Sequence, residues 1–146
     1  MKNIIRFFPL VILCAYIVFK VRASDDVAPP VYTPTAAQQV QLQEVQATLE
    51  DYPTASEELS KMFEGLAIVI QADSRVLKTT SDVRATHQNA GALAVQVGQV
   101  PRIPGYSAAV DKFLNSNIGV ENVPVDAAKR AQIVEAFKAL GWATKK

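Results

Sequence analysis

Sulfur and imidazole are nearly missing from this chain: its 146 residues include one cysteine, Cys14, and one histidine, His87. A lone thiol closes no disulfide within the chain. One histidine and one cysteine cannot build a His/Cys metal site, and Cys14 lies inside an apolar run, which leaves no basis for a Cys–His nucleophile pair. The six glycines form neither a phosphate-cradling loop nor a G-x-S-x-G elbow. No Asn-Gly or Asp-Gly turn separates alternating runs, so no hairpin is signalled. These absences leave no cofactor, metal or small-molecule substrate to expect.

Acidic residues are also missing from the first 24 positions. There Lys2 and Arg6 precede the run Phe7–Phe19, and Lys20-Val21-Arg22-Ala23-Ser24 follow it. A basic-flanked apolar segment of this kind delivers its chain to a membrane, as an anchor or as a removable export signal. Val21-Arg22-Ala23 fits a cleavage site before Ser24. Against cleavage, Lys20 and Arg22 stand directly after the core, where signals carry neutral or polar residues. Ile4 to Val21 reaches the length of a span if Arg6 and Lys20 extend their charges to opposite headgroup layers. Phe7, Tyr16 and Phe19 then fall near the interfaces, and Leu10, Val11, Ile12, Leu13, Ile17 and Val18 face lipid. The anchor is the favoured reading, with the lipid bilayer as partner. The amino terminus adds to the positive charge before the run, which places the bulk of the chain outside the cytoplasm. Cleavage before Ser24, giving a soluble periplasmic or secreted module, is the alternative. A lipoprotein reading of Cys14 fails on Leu13, which stands where a small residue is expected.

Asp25 to Thr35 contains three prolines and no apolar period, a semi-stiff spacer. In polyproline geometry it reaches roughly 34 Å. Residues 36–146 suffice for one small domain, and helix signals dominate it. A thin stripe of Val40, Leu42, Val45 and Leu49 predicts a helix over Ala36–Asp51. Thr54-Ala55-Ser56-Glu57 reads as a capping box after Pro53, leading into Leu59, Met62, Phe63, Leu66, Ala67 and Ile70. A third helix, Thr80–Gly98, opens on the capping residues Thr80-Ser81-Asp82. Its inner side is Val83, Ala90, Leu93, Ala94 and Val97, and Ala90-Gly91-Ala92 would admit a close neighbour. A fourth, Ser107–Asn117, turns Val110, Phe113 and Leu114 inward, with Gly119 beyond its end. A fifth, Asp126–Leu140, presents Ala131, Val134, Phe137 and Leu140, with Gly141 as its stop and Trp142 packing back. The expectation is all-α: an N-terminal transmembrane helix or signal segment, then a bundle or array of about five helices.

Charge is divided along the chain. Asp25–Asp73 carries nine acids against Lys61 alone, whereas Ser74–Lys146 carries ten basic residues against five acids. Complementary packing of the two halves explains this division. The basic residues are scattered and lack clustered aromatics, so nucleic acid is not an expected partner. His87 borders the inner face of the third helix and reads as structural, held by one hydrogen-bond partner. Glu57, Glu58 and Glu64 read as a solvated face. The proline-stiffened loop Val100–Tyr106 offers Arg102, Ile103 and Tyr106 as candidates for contact with a protein partner, though the favoured reading is a rigid connector whose Ile103 and Tyr106 cap the core. The function expected is that of a non-enzymatic, single-pass membrane protein with an extracytoplasmic helical interaction domain, a structural or assembly component of an envelope complex or viral membrane layer. A hydrolase using His87 is a remote alternative.

Overall fold

Thr35 opens the first helix by a reciprocal exchange with Gln38. The Gln38 N–H donates to Thr35 Oγ1 at 3.2 Å, and the Thr35 N–H donates to Gln38 Oε1 at 3.0 Å. This capping box satisfies two donors that a helix start leaves orphaned. The computed structural model describes residues 32–72 and 77–145. The expected span, with its residues from Phe7 to Phe19, and the spacer before Tyr32 lie outside them.

Five helices follow in order: α1 Ala36–Leu49, α2 Pro53–Ala72, α3 Thr80–Gln96, α4 Tyr106–Ile118 and α5 Ala127–Thr144. No strand occurs among the described residues. One antiparallel bridge joins Thr79 to Pro124, where Thr80 N–H donates to Val123 O at 3.0 Å and Val125 N–H to Lys78 O at 2.8 Å.

The other helix starts correct the sequence expectation in detail. α2 begins on Pro53 itself, whose missing N–H suits a first helical position. Ser56, expected inside a capping box, is buried and donates to Thr144 O at 2.6 Å instead. The cap of α3 is Thr79, one residue before the expected run. Asp82 N–H donates to Thr79 Oγ1 at 3.3 Å, and Asp82 Oδ2 accepts from the Thr79 and Lys78 N–H groups at 3.0 and 3.1 Å. Those donors hold the Asp82 carboxyl below its ordinary range. Asp126 caps α5, accepting from Lys129 N–H at 2.7 Å.

α2 and α5 form the central pair and run antiparallel. Ser56 and Ser60, near the start of α2, donate to Thr144 O and Gly141 O at the end of α5. At the other end Arg130, near the start of α5, donates to Ile70 O at 2.6 Å. Gly141 does not stop α5 but lies inside it, buried. A Cβ there would meet Glu64 Cγ at 3.2 Å and Phe63 Cβ at 3.7 Å. A Cβ is therefore accommodated only if the Glu64 side chain shifts by a few tenths of an ångström, and anything larger would push the two helices apart. α1 and α4 pack on the remaining sides of α5 and on each other. Covered from several directions, α5 buries Ile133, Val134, Ala136, Phe137, Ala139, Leu140 and Ala143, as a helix enclosed by neighbours must.

The inward residues expected for α2 and α4 are found there: Leu59, Phe63, Leu66, Ala67 and Ile70, with Val110, Phe113 and Leu114, are buried. Four expectations fail. Val40 and Val97 are 66% and 60% exposed, Ala131 is exposed, and a Cβ at Gly91 would meet nothing within 4 Å. The small residues Ala90-Gly91-Ala92 therefore receive no close neighbour at Gly91.

Gly141→Ala is expected to stay within about 1 kcal/mol of the wild type, because the flexible Glu64 stem yields and alanine favours the helix. Gly141→Leu should lose about 3 kcal/mol through overpacking. Urea unfolding of the two variants checks this, and equal stabilities would contradict the close α2–α5 approach.

Candidate functional site

His87 lies four residues beyond Val83 on α3, so both project toward the core. Both are buried. The imidazole stacks on Phe63 of α2, with ring centroids 5.5 Å apart and an 18° interplanar angle, and lies 5.8 Å from the Phe137 ring of α5. The two phenylalanines are themselves stacked at 6.2 Å. A three-ring box thus joins three helices. The hydrogen-bond partner expected for His87 is not there: among the described residues it makes no hydrogen bond. Burial pushes its pKa down to about 4, and the attraction of Asp111 opposes this without overcoming it. The ring is neutral at pH 7, and among the described residues no serine hydroxyl hydrogen-bonds to it.

The loop after α3 divides its three candidate contact residues. Gly98 and Gly105 both take φ of +77° and bound it, a left-handed conformation that favours glycine. Val100 is buried, and Ile103 and Tyr106 are half-buried against the core. Arg102 is exposed and, among the described residues, enters no ion pair or hydrogen bond. The Tyr106 hydroxyl is buried without a hydrogen-bond partner, and burial pushes its pKa well above the ordinary tyrosine value. Val97, at the head of this loop, adds an exposed apolar side chain.

A surface groove of about 410 Å³ runs along the start of α5, lined by Gln71, Val125, Arg130, Val134, Glu135 and Lys138 among others. Its charged groups are engaged in the fold: Arg130 reaches Ile70 O, and Lys138 pairs with Glu135 at 3.8 Å. Tyr32 stands beside the same two residues. Its ring lies 6.0 Å from Lys138 Nζ. Its pKa is pushed up to about 12, first by burial and then by the charge of Glu135 and a hydrogen bond to it.

No family model, curated protein or solved structure matches this chain. Its chemistry therefore rests on its own residues. Among the described residues no group of three His, Cys, Asp or Glu side chains could hold a metal ion. Glu57 and Glu58 pair with Lys61 at 3.3 and 3.1 Å on the surface of α2. Glu64 pairs with Lys145 at 3.6 Å.

Sequence reasoning missed the aromatic box as a unit. Phe63, His87 and Phe137 are each visible as inward positions, but their mutual contact depends on how three helices cross.

His87→Ala should cost about 2–4 kcal/mol by leaving a cavity between two rings. His87→Leu should stay within about 1.5 kcal/mol at pH 7. His87→Gln should fall below His87→Leu, because its amide enters the box without a partner. Thermal or urea melts rank the three variants; a glutamine variant as stable as wild type would reveal a hydrogen bond at this position. Tyr106→Phe should raise stability by about 1 kcal/mol, since it removes an unpartnered buried hydroxyl, and the same melts check it.

Proposed function

We propose that this chain is a non-enzymatic, single-pass membrane protein that holds a helical protein-interaction domain outside the cytoplasm. One observation carries the reading: the apolar run Phe7–Phe19, bounded by Lys2, Arg6, Lys20 and Arg22, leads through a proline-rich spacer into the five-helix domain. Residues 1–24, outside the described part, must supply any span, because among the described residues no helix is long and apolar enough to cross a membrane. The positive charges directly after the run favour retention over cleavage. Export with cleavage before Ser24 is the second reading, motivated by Val21-Arg22-Ala23.

The interaction role draws on the loop between α3 and α4. Arg102 and Val97 are both exposed in the stretch that joins the two helices, and Pro101 and Pro104 stiffen it on either side of Arg102. Ile103 and Tyr106 root the loop in the core, so a partner would meet a surface already held in place. A hydrolase centred on His87 is disfavoured by the absence of a hydrogen-bonded serine and by a ring that stays neutral without a polarising partner. The partner class is a protein, since the basic residues that would attract nucleic acid are largely engaged on backbone carbonyls and carboxylates.

Membranes from cells making the full chain, washed with alkaline carbonate, should retain it in the pellet, with the mature amino terminus upstream of the apolar run by mass spectrometry. A mature chain beginning at Ser24 and released by carbonate would overturn the anchor. A photo-crosslinking residue at Arg102 should capture a protein partner that Val97→Asp loses with its melting temperature unchanged.

A further inference from the structure

Of the five helices, α3 has the least contact with the others. Its first turn is firmly latched. Thr80 Oγ1 donates to Glu121 O and accepts from Val123 N–H, both at 3.0 Å, and Ser81 N–H donates to Asn122 Oδ1 at 3.1 Å. One turn on, Arg84 donates to Asn115 Oδ1 and Gly119 O at the end of α4. Beyond Arg84, among the described residues, no side chain of α3 hydrogen-bonds to another helix. The rest of α3 is held by apolar contact, and His87 supplies its one large ring there. Past its end, Gly98 takes a left-handed turn. The helix therefore has a fixed end, a glycine turn at the other, and an ionisable ring as its main attachment between them.

We infer that α3 is an acid-released flap: protonation of His87 inside the ring box undocks the helix beyond Arg84 and uncovers Phe63 and Phe137. Among the described residues the box offers an imidazolium no acceptor, and the Phe63 and Phe137 rings cover most of it, so the charged ring gains solvation by leaving. The groups around it offer little compensation. α2 and α5 present the Phe63 and Phe137 rings, and the charged residues next to these in sequence, Glu64 and Lys138, are paired with Lys145 and Glu135. From α4, exposed Asp111 attracts the proton less than burial repels it. On α3 itself Arg84 adds like charge nearby, and the Asp82 carboxylate is held in the N-terminal capping box.

The sign follows from the lowered pKa. Unfolded or released, His87 takes a proton near 6.5; docked, it resists until about 4. Docking is at full strength above pH 6.5 and weakens by about tenfold in its equilibrium constant for each pH unit below that, levelling off beneath about 4. Asp82, whose carboxyl pKa is also lowered, titrates at acidic pH as well, but a histidine substitution leaves its contribution in place. This inference is independent of whether the chain is anchored or cleaved.

The test uses the full chain. As the only histidine, His87 gives a single imidazole C2–H resonance, whose NMR titration should centre between 4 and 6.5, above the docked value because protonation is coupled to release. Hydrogen exchange read by mass spectrometry, corrected for intrinsic rates, should show the opening of Thr80–Gln96 rising about tenfold per pH unit from 6.5 to about 4, ahead of α5. His87→Leu should abolish that rise. A titration midpoint at 6.5 or above, equal exchange in wild type and His87→Leu, or loss of protection by all helices together would each overturn the flap. If His87→Leu does not fold, the wild-type midpoint and the selectivity for α3 decide.

Discussion

The separation of α2 from α5 is set where Gly141 faces Phe63 and Glu64, and most of the domain takes its position from that approach. A small residue there lets Ser60 reach the Gly141 carbonyl at 2.9 Å and Ser56 reach that of Thr144 at 2.6 Å. The Ser56 hydroxyl satisfies the Thr144 carbonyl at the helix end, and Ser60 adds a second donor to the Gly141 carbonyl, which also accepts from Lys145 N–H at 3.1 Å. Close approach and polar satisfaction are thus one arrangement. Phe63 and Phe137, one from each helix of the pair, then stand at the separation that lets His87 of α3 stack on the first and tilt toward the second. α1 and α4 close the other sides of α5 with Leu42, Val45, Val110 and Phe113.

The uneven charge along the chain is resolved in the fold by two kinds of contact. Glu44 pairs with Lys112 at 2.7 Å and Glu64 with Lys145 at 3.6 Å, joining the acidic first half to the basic second half. Such exposed pairs contribute little each. The second kind is more specific: Arg130 donates to Ile70 O, Lys129 to Ile118 O and Arg84 to Gly119 O. Positive side chains therefore sit at the carbonyl ends of α2 and α4, where the helix dipole is negative. Three basic side chains of the second half thus serve helix ends, whereas Arg102 is exposed and makes no hydrogen bond or ion pair among the described residues.

The number and order of the helices were readable because strong periodicity survives any packing. Leu59 to Ile70 in α2 and Val110 to Leu114 in α4 are the plainest cases. Helix ends were less readable, because a cap is chosen among adjacent candidates by what the rest of the fold occupies. Thr80 could have capped α3, but its hydroxyl is engaged by Glu121 and Val123, so Thr79 takes that role. Gly141 has the signature of a helix stop, and nothing local distinguishes it from a glycine needed for close packing; the distinction lies in α2, eighty residues away in sequence. At the candidate site, the inward placement of His87 was readable but its missing hydrogen bond was not. Arg102 was correctly placed in an exposed loop. Its companions Ile103 and Tyr106 pack against the core, as the reading of the loop as a rigid connector expected.

The order in which the helices are made bears on how the domain comes together. α5, on which α1, α2 and α4 rest, is the last of the five to be synthesised. During translation, at roughly 5–20 residues per second, α1, α2 and α4 exist for seconds without the helix that covers most of their apolar faces. Native contacts spanning the chain, such as Ser56 to Thr144, form only once that final helix has emerged. The decisive step of folding therefore waits for α5, and until that helix emerges the apolar faces of the earlier helices must avoid other partners.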